Sequence, residues 1–456
     1  MSQASILKAS LEGLRDQPDQ LIEIILRQVG VIEELRQQIK DLQDRNDGLS
    51  AKVAALEQKA ARQAAPFRIR EQQRQGNPKK PGRKAGHAGS WRPIPEVVDE
   101  QIEVPLTACP QCGQKVGKTR PVVQYLEELP VMRPRVIQLT THEAQCPGCR
   151  QTVRSTHPLQ VSLARGAAGV QLGPRVLGLA ATLNKQYGLT VRKTCAVLKS
   201  IFELKLSPGG LAQGLQRMAG KLEPAYEKLV VRLRDGPYVH VDETSWWVGG
   251  PKYWLWVFAD KTTTVYRVAK GRGREVLTEA LGEAFGGVLV SDCLATYDDF
   301  NPRQQKCYSH HLKAISLAQQ DSPSVWLEKL RWLLEAAMDL KQHPQAGEQA
   351  VLEQKLKELL AQPRPTNVEE KVRRRIEKQK DHLFTFLDHP EVDATNNLAE
   401  RQLRPAVIAR KVSCGNKTTS GARTWEILTS LAATATQQGK SFAAIVSHAA
   451  PLNPAR

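Results

Sequence analysis

No stretch of the 456 residues approaches the ~20 consecutive apolar positions that a helix needs to cross a bilayer. The opening MSQASILKASLEG has no basic segment followed by a long apolar core, so it does not read as a secretory signal. Cysteine is scarce, eight in all, and four of the eight fall in two CxxC pairs. That distribution argues against a disulfide framework and for metal or redox chemistry in a reducing compartment. Acid is also short: 65 Lys and Arg face 47 Asp and Glu, a formal charge of +18. A membrane surface is one sink for such charge, but with no spanning segment the expected partner is nucleic acid. The expected location is the cytoplasm, and the length suggests about three structural units.

What is present divides the chain into segments. Residues 1–61 carry a heptad seam: Ile25, Ile32, Ile39, Asn46 and Val53 share one position, and Leu35, Leu42, Leu49 and Leu56 share another three residues on. β-branched residues at a with Leu at d favour a parallel two-stranded coiled coil, and a lone Asn at a fixes its register. The other reading is a single amphipathic helix packed on the body of the protein. Residues 62–102 form a linker, and between 62 and 92 nine Lys or Arg stand against Glu71 alone. Its Pro and Gly residues oppose helix and strand. Lys79, Lys80, Arg83 and Lys84 are candidate phosphate contacts in this arm, or it is only a solvated tether.

Residues 103–165 hold Cys109-Pro-Gln-Cys112 and Cys146-Pro-Gly-Cys149, 33 residues apart, with β-rich sequence such as RVIQLTTHEAQ between them. Two such knuckles can supply a Cys₄ site for structural Zn²⁺. The spacing predicts a ribbon with an intervening hairpin. A redox CxxC competes, but no thioredoxin-like βαβ pattern surrounds either pair. Residues 166–236 show helical spacing (Val176, Leu177, Leu179, Leu183; Val191, Cys195, Leu198, Ile201) broken by LSPGG, which predicts a small helical, helix-turn-helix-like domain.

After Gly236 the period changes to that of strands. PYVHVDETSWWV, KYWLWVFAD and TTVYRVAK read as three strands, GREVLTEALGEAF as a helix and GGVLVSDCLATY as a fourth strand. This order is the ribonuclease-H-like arrangement, in which the first and fourth strands lie side by side, so Asp242 and Asp292 would meet. Asp242 and Glu243 must face opposite ways, and Asp242 is the one assigned to the cluster. A helix beginning in DATNNLAERQLRP, capped by Asp393 or Thr395, would present Glu400 in its second turn. Three carboxylates from different elements can hold two Mg²⁺ (or Mn²⁺) about 4 Å apart, the arrangement that phosphodiester chemistry needs. Arg401, Arg404, Arg410, Lys411, Lys417 and Arg423 follow with no acid among them, a field suited to a phosphate backbone. An ordinary surface helix with Glu–Arg pairing is the alternative. The expected fold class is therefore multidomain α+β. Its catalytic core runs over 237–318 and 391–456 and is interrupted by a helical insertion at 319–390. KVRRRIEKQK in that insertion is either a DNA-contacting surface or a solvated charged helix.

Taken together, HVDETSWWV, YWLWVFAD, GVLVSDCLATYDDF, QKCYSHHLK and TNNLAERQLRPAVIARKVSCGNKT, in that order, closely resemble the transposases of the insertion sequence 66 family. The upstream GRKAGHAG, the CxxC pairs and the leucine-rich N-terminus match that family's other regions. The resemblance implies a DDE triad of Asp242, Asp292 and Glu400 and a Cys-x-x-His element at Cys307 and His310, with His311 directly after it. It implies metal-dependent cleavage and strand transfer at terminal inverted repeats of double-stranded DNA, with the enzyme associated with the nucleoid when bound. Arg404, Arg410 and Lys411 are candidate phosphate contacts, with Arg401 beside the active site. A homodimer or higher oligomer through the coil, and small accessory proteins of the same element, are the implied partners. A stand-alone nuclease of the same fold and a domesticated, non-catalytic DNA-binding regulator are the rival functions.

Overall fold

The computed structural model describes residues 18–63, 86, 89, 92–298, 300–301, 303–363 and 366–452. They form mixed α+β structure in two units, divided after Glu127. In the first unit, helix α1 (Pro18–Gln63) carries the heptad seam. Ile32, Leu35, Ile39, Leu42, Leu49 and Val53 are all exposed on the single chain. Lys79, Lys80, Arg83 and Lys84 lie outside the described residues. The first CxxC closes a tight turn, with the Cys109 N–H donating to Gln114 O at 2.8 Å and the Gly113 N–H to Cys109 O at 2.9 Å.

The second CxxC makes the same turn in the second unit, the Cys146 N–H donating to Gln151 O and the Arg150 N–H to Cys146 O, both at 2.8 Å. It joins strands β1 (Glu143–Gln145) and β2 (Thr152–Arg154). The hairpin expected across RVIQLTTHEAQ is thus confined to 143–154. The β-branched stretch before it forms no strand, and Val131 and Val136 stand open to solvent. High β-propensity gives an extended backbone; a sheet also needs a partner strand.

Helices α2 (Pro174–Ala181), α3 (Val191–Phe202) and α4 (Pro208–Arg234) follow. Thr190 caps α3 and Ser207 caps α4, each accepting from the backbone N–H three residues on, and Pro208 takes the first helical position, where a missing N–H costs nothing. The buried face of α4 includes Leu211, Leu215, Met218, Leu222, Tyr226, Val230 and Leu233. This spacing is one helical stripe.

That helix feeds a five-stranded sheet, β3 (Tyr238–Trp246), β4 (Tyr253–Ala259), β5 (Thr264–Ala269), β6 (Val288–Ser291) and β7 (Gln304–Lys306), in the order β5-β4-β3-β6-β7. The first three strands pair antiparallel; β6 joins β3 and β7 joins β6 in parallel. Helix α5 (Arg274–Leu281) makes the crossover between β5 and β6. Both faces are covered, and the strands sort their residues by alternation. Val239, Val241, Trp256, Phe258 and Leu289 face a core shared with α4 and α5. Tyr238, Val288 and Val290 face the core of the helical insertion, while Trp246, Leu255 and Val257 face Ala399, Leu403 and Ala406.

The insertion comprises α6 (Tyr308–Asp321), α7 (Val325–Gln342), α8 (Glu348–Ala361), α9 (Asn367–Gln379) and α10 (Thr385–Asp388), built around Leu327, Leu330, Leu334 and Ile376. Asp298, in the loop after β6, pairs with Lys378 at 2.7 Å and accepts from Gln379 at 3.0 Å, tying α9 to the sheet. The chain closes with α11 (Asn397–Ser413), α12 (Thr419–Gln437) and α13 (Phe442–Ala449). α11 starts at Asn397 with Asn396 at its cap position, later than the expected Asp393 or Thr395, so Glu400 sits in the first turn.

Candidate active site

The register of β3 on β6 pairs Tyr238 with Val288, Val239 with Leu289 and His240 with Val290. Two residues beyond the last pair on each strand stand Asp242 and Asp292. The parallel pairing of two buried strands therefore carries both carboxylates to one end of the sheet. Asp242 shares its face with Tyr238, His240 and Trp246, the face on which α11 packs through Ala399, Leu403 and Ala406. Glu400, next to Ala399, stands at the edge of that contact and is exposed.

Asp242 feels its surroundings electrostatically. Its carboxyl is pushed up to about 7, chiefly by burial, then by the negative charge of neighbouring Glu243, with Asp292 and Glu400 adding to it. A hydrogen bond from the Glu243 N–H at 2.9 Å opposes the shift without cancelling it. Asp292 accepts from the Leu294 N–H at 2.9 Å, which turns the chain sharply after β6.

Glu243 points the other way. It is buried, receives Arg272 Nε at 2.8 Å and is hydrogen-bonded by the Tyr297 hydroxyl. Arg272 lies 4.5 Å from the centre of the Trp254 ring. An anchored ion pair on the opposite face thus stiffens the strand beneath Asp242. Neither Arg272 nor Tyr297 had any spacing signal in the sequence.

Asn396 is the other residue that sequence reasoning missed. It is 1% exposed, and its side chain lies against β3. The amide Nδ2 donates to Val241 O at 2.8 Å and Oδ1 meets His240 Nδ1 at 3.1 Å. Its backbone N–H points at Cys307 Sγ, 3.1 Å away. One residue thereby locks the start of α11, the strand bearing Asp242 and the residue capping α6. Burial holds His240 neutral by lowering its pKa to about 4.

The two consecutive histidines separate. His310 Nδ1 lies 3.9 Å from Glu400 Oε1, and Cys307, His310 and Glu400 bring their donor atoms within 4.8 Å of one another. Hydrogen bonding to Cys307 raises the His310 pKa, with Asp292 and Glu400 contributing. His311 turns inward, its Nε2 3.5 Å from Cys293 Sγ, and burial drives its pKa to about 3. Lys306 is fully buried between Asp298 and Ser291, each 3.4 Å from its Nζ.

The basic field is more mixed than the sequence suggests. Arg410 donates to Thr244 Oγ1 at 3.0 Å and Ser245 Oγ at 2.9 Å, fastening α11 to β3. Arg423 is held by Glu223 and Glu227 of α4, both at 2.7 Å, and by Glu426. Arg401, Arg404 and Lys411 are exposed on α11. Away from this site, backbone N–H groups of Cys112 and Gln111 lower the thiol pKa of Cys109, and those of Cys149 and Gly148 do the same for Cys146. Such N–H···S bonds stabilise a thiolate.

The model of the family described as "Transposase IS66 family" matches residues 169–424. The chain is also similar to the uncharacterized protein y4qI of Sinorhizobium fredii (strain NBRC 101917 / NGR234), 24% identical over 280 residues. That likeness covers 52% of this chain and 51% of the relative, so the chain spans about half the length of the curated protein it matches.

Proposed function

The chain belongs to the IS66 family of transposases, and from that membership we propose that it cuts and joins DNA through Asp242, Asp292 and Glu400. The observation that carries this reading is the parallel register of β3 on β6, which sets Asp242 beside Asp292, with the helix bearing Glu400 packed on the same face as Asp242; burial and the charge of Glu243, with smaller contributions from Asp292 and Glu400, raise the Asp242 pKa. Such a cluster is unfavourable alone and favourable around hard divalent cations, whose preferred donors are carboxylate oxygens. The strand order, with the parallel pair β3–β6 carrying the two aspartates, supports a ribonuclease-H-like core. Asp242, Asp292 and Glu400 would together hold the two Mg²⁺ (or Mn²⁺) ions. When bound, the two ions would activate the attacking oxygen and stabilise the leaving oxygen of a phosphodiester. The protein's own residues hold those carboxylates in place: Glu243 with Arg272 from below, Asn396 from the side.

Arg404 and Lys411, exposed on the helix that bears Glu400, would contact DNA phosphates, as would Lys79, Lys80, Arg83 and Lys84 of the arm. Arg410, engaged with Thr244 and Ser245, is better read as joining helix to strand. Each CxxC turn, with backbone N–H groups aimed at its sulfur, is read by itself as a ligand pair suited to structural Zn²⁺. The exposed heptad seam of α1 is read as the self-association surface. Among the described residues, no helix is long and apolar enough to cross a membrane.

Asp242→Asn, Asp292→Asn and Glu400→Gln should each lower cleavage and joining of end-bearing DNA by about 100-fold or more, leaving DNA binding nearly unchanged. Near-normal cleavage by any one of them removes that residue from the triad. Nicking without strand joining by the unmodified protein would instead favour a nuclease.

A further inference from the structure

Cys307, His310 and Glu400 are three different donors from two elements: the residue capping α6, the third residue of α6 and the first turn of α11. Their ligand atoms all lie within 4.8 Å of one another, and His310 Nδ1 is 3.9 Å from Glu400 Oε1. Around a tetrahedral Zn²⁺, with bonds of about 2.0 to 2.3 Å, donors stand roughly 3.5 Å apart. Small rotations of a half-exposed His and an exposed Glu close that gap. His310 Nδ1 is buried, and Glu400 Oε1 at 3.9 Å lies beyond hydrogen-bond reach of it. The Cys307 sulfur already receives the Asn396 N–H at 3.1 Å, the outer-sphere bond a coordinated thiolate takes.

This donor set differs in kind from the carboxylate cluster. Mg²⁺ seeks oxygen alone, whereas thiolate with imidazole selects borderline and soft ions. We propose that Cys307, His310 and Glu400 form a second, soft-donor metal site that takes one Zn²⁺-class ion and, when filled, draws Glu400 away from the carboxylate cluster, so that zinc restrains the enzyme. The restraint rests on Glu400 being the third carboxylate; the site itself does not.

Cobalt is the probe, because Co²⁺ bound to thiolate absorbs in the near ultraviolet. Full-length metal-free protein is titrated with Co²⁺ alongside Cys307→Ser, His310→Ala and Asp242→Asn. The CxxC cysteines are common to all four proteins and cancel in difference spectra. Wild type should bind one Co²⁺ more than Cys307→Ser, with a thiolate band in the difference spectrum. His310→Ala, at a half-exposed position that spares the buried core, should weaken that last equivalent by about tenfold or more. Asp242→Asn should keep the band. In cleavage assays with Mg²⁺ in excess, added Zn²⁺ should slow wild type by about tenfold and slow His310→Ala, relative to its own rate, by less than about twofold. Identical stoichiometry and spectra for wild type, Cys307→Ser and His310→Ala would overturn the site. Cobalt binding without zinc inhibition would overturn the restraint. Full cleavage by Asp242→Asn with the band retained would sink the carboxylate reading and leave the metal site standing.

Discussion

Asp242 and Glu243 are adjacent, identical in charge and opposite in fate. Alternation along a strand separates them, and it was enough to say from the sequence that only one could join the cluster. The partners that decide the matter, Arg272 and Tyr297 for Glu243, come from loops, and neither residue type nor spacing marks them as its partners. Asn396 was hidden for a related reason: in DATNN several residues can cap a helix, and nothing local says which one turns inward to His240 and Val241. The basic run after Glu400 misled in the other direction. No acid lies within it, yet Glu223 and Glu227 reach Arg423 from α4, about 200 positions away. The raised pKa of Asp242 makes stability depend on pH. Its folded value, about 7, exceeds its ordinary one, so the folded protein binds the extra proton and this group's contribution to stability grows as pH falls through 7. Metal-free wild type should gain about 1 kcal/mol between pH 8 and 6 relative to Asp242→Asn, as followed by urea unfolding. Parallel pH dependences of the two proteins would show that Asp242 is not strained by burial and charge.

Elements were legible where the hydrophobic period is strong. β3 to β5 and β6 fall on alternating or continuous apolar runs bounded by turn residues, and α4 follows a clean helical stripe after Ser-Pro. The stretch before β1 forms no strand, because β-branched residues carry no information about a pairing strand. Of α1, the exposed Ile32, Leu35, Ile39, Leu42, Leu49 and Val53 leave an apolar seam interrupted at Asn46, and we propose that a second copy covers it. Sedimentation of the full chain should show a dimer or larger species. Replacing Leu35 and Leu42 together by Lys should shift it toward monomer while leaving the helical content of the second unit intact. An unchanged sedimentation coefficient would assign the seam another partner.

In the second unit, carboxylates far apart in the sequence lie on elements that pack around β3. Asp242 and Asp292 arrive through parallel pairing, and Glu400 arrives only after the insertion of α6 to α10 has been traversed. Neither local pattern nor charge predicts how a chain returns from such an insertion; the shared core of Ala399, Leu403 and Ala406 with Leu255 and Val257 does it. The insertion also meets the sheet through Asp298 with Lys378, so the site's frame draws on both.

Asp242, Asp292 and Glu400 are proposed to hold divalent cations together. Anomalous diffraction from crystals soaked in Mn²⁺ measures this directly. The prediction is manganese density ligated by Asp242 and shared with Asp292 and Glu400, lost in Asp242→Asn. Manganese bound elsewhere on the chain, with none in contact with Asp242, would contradict it.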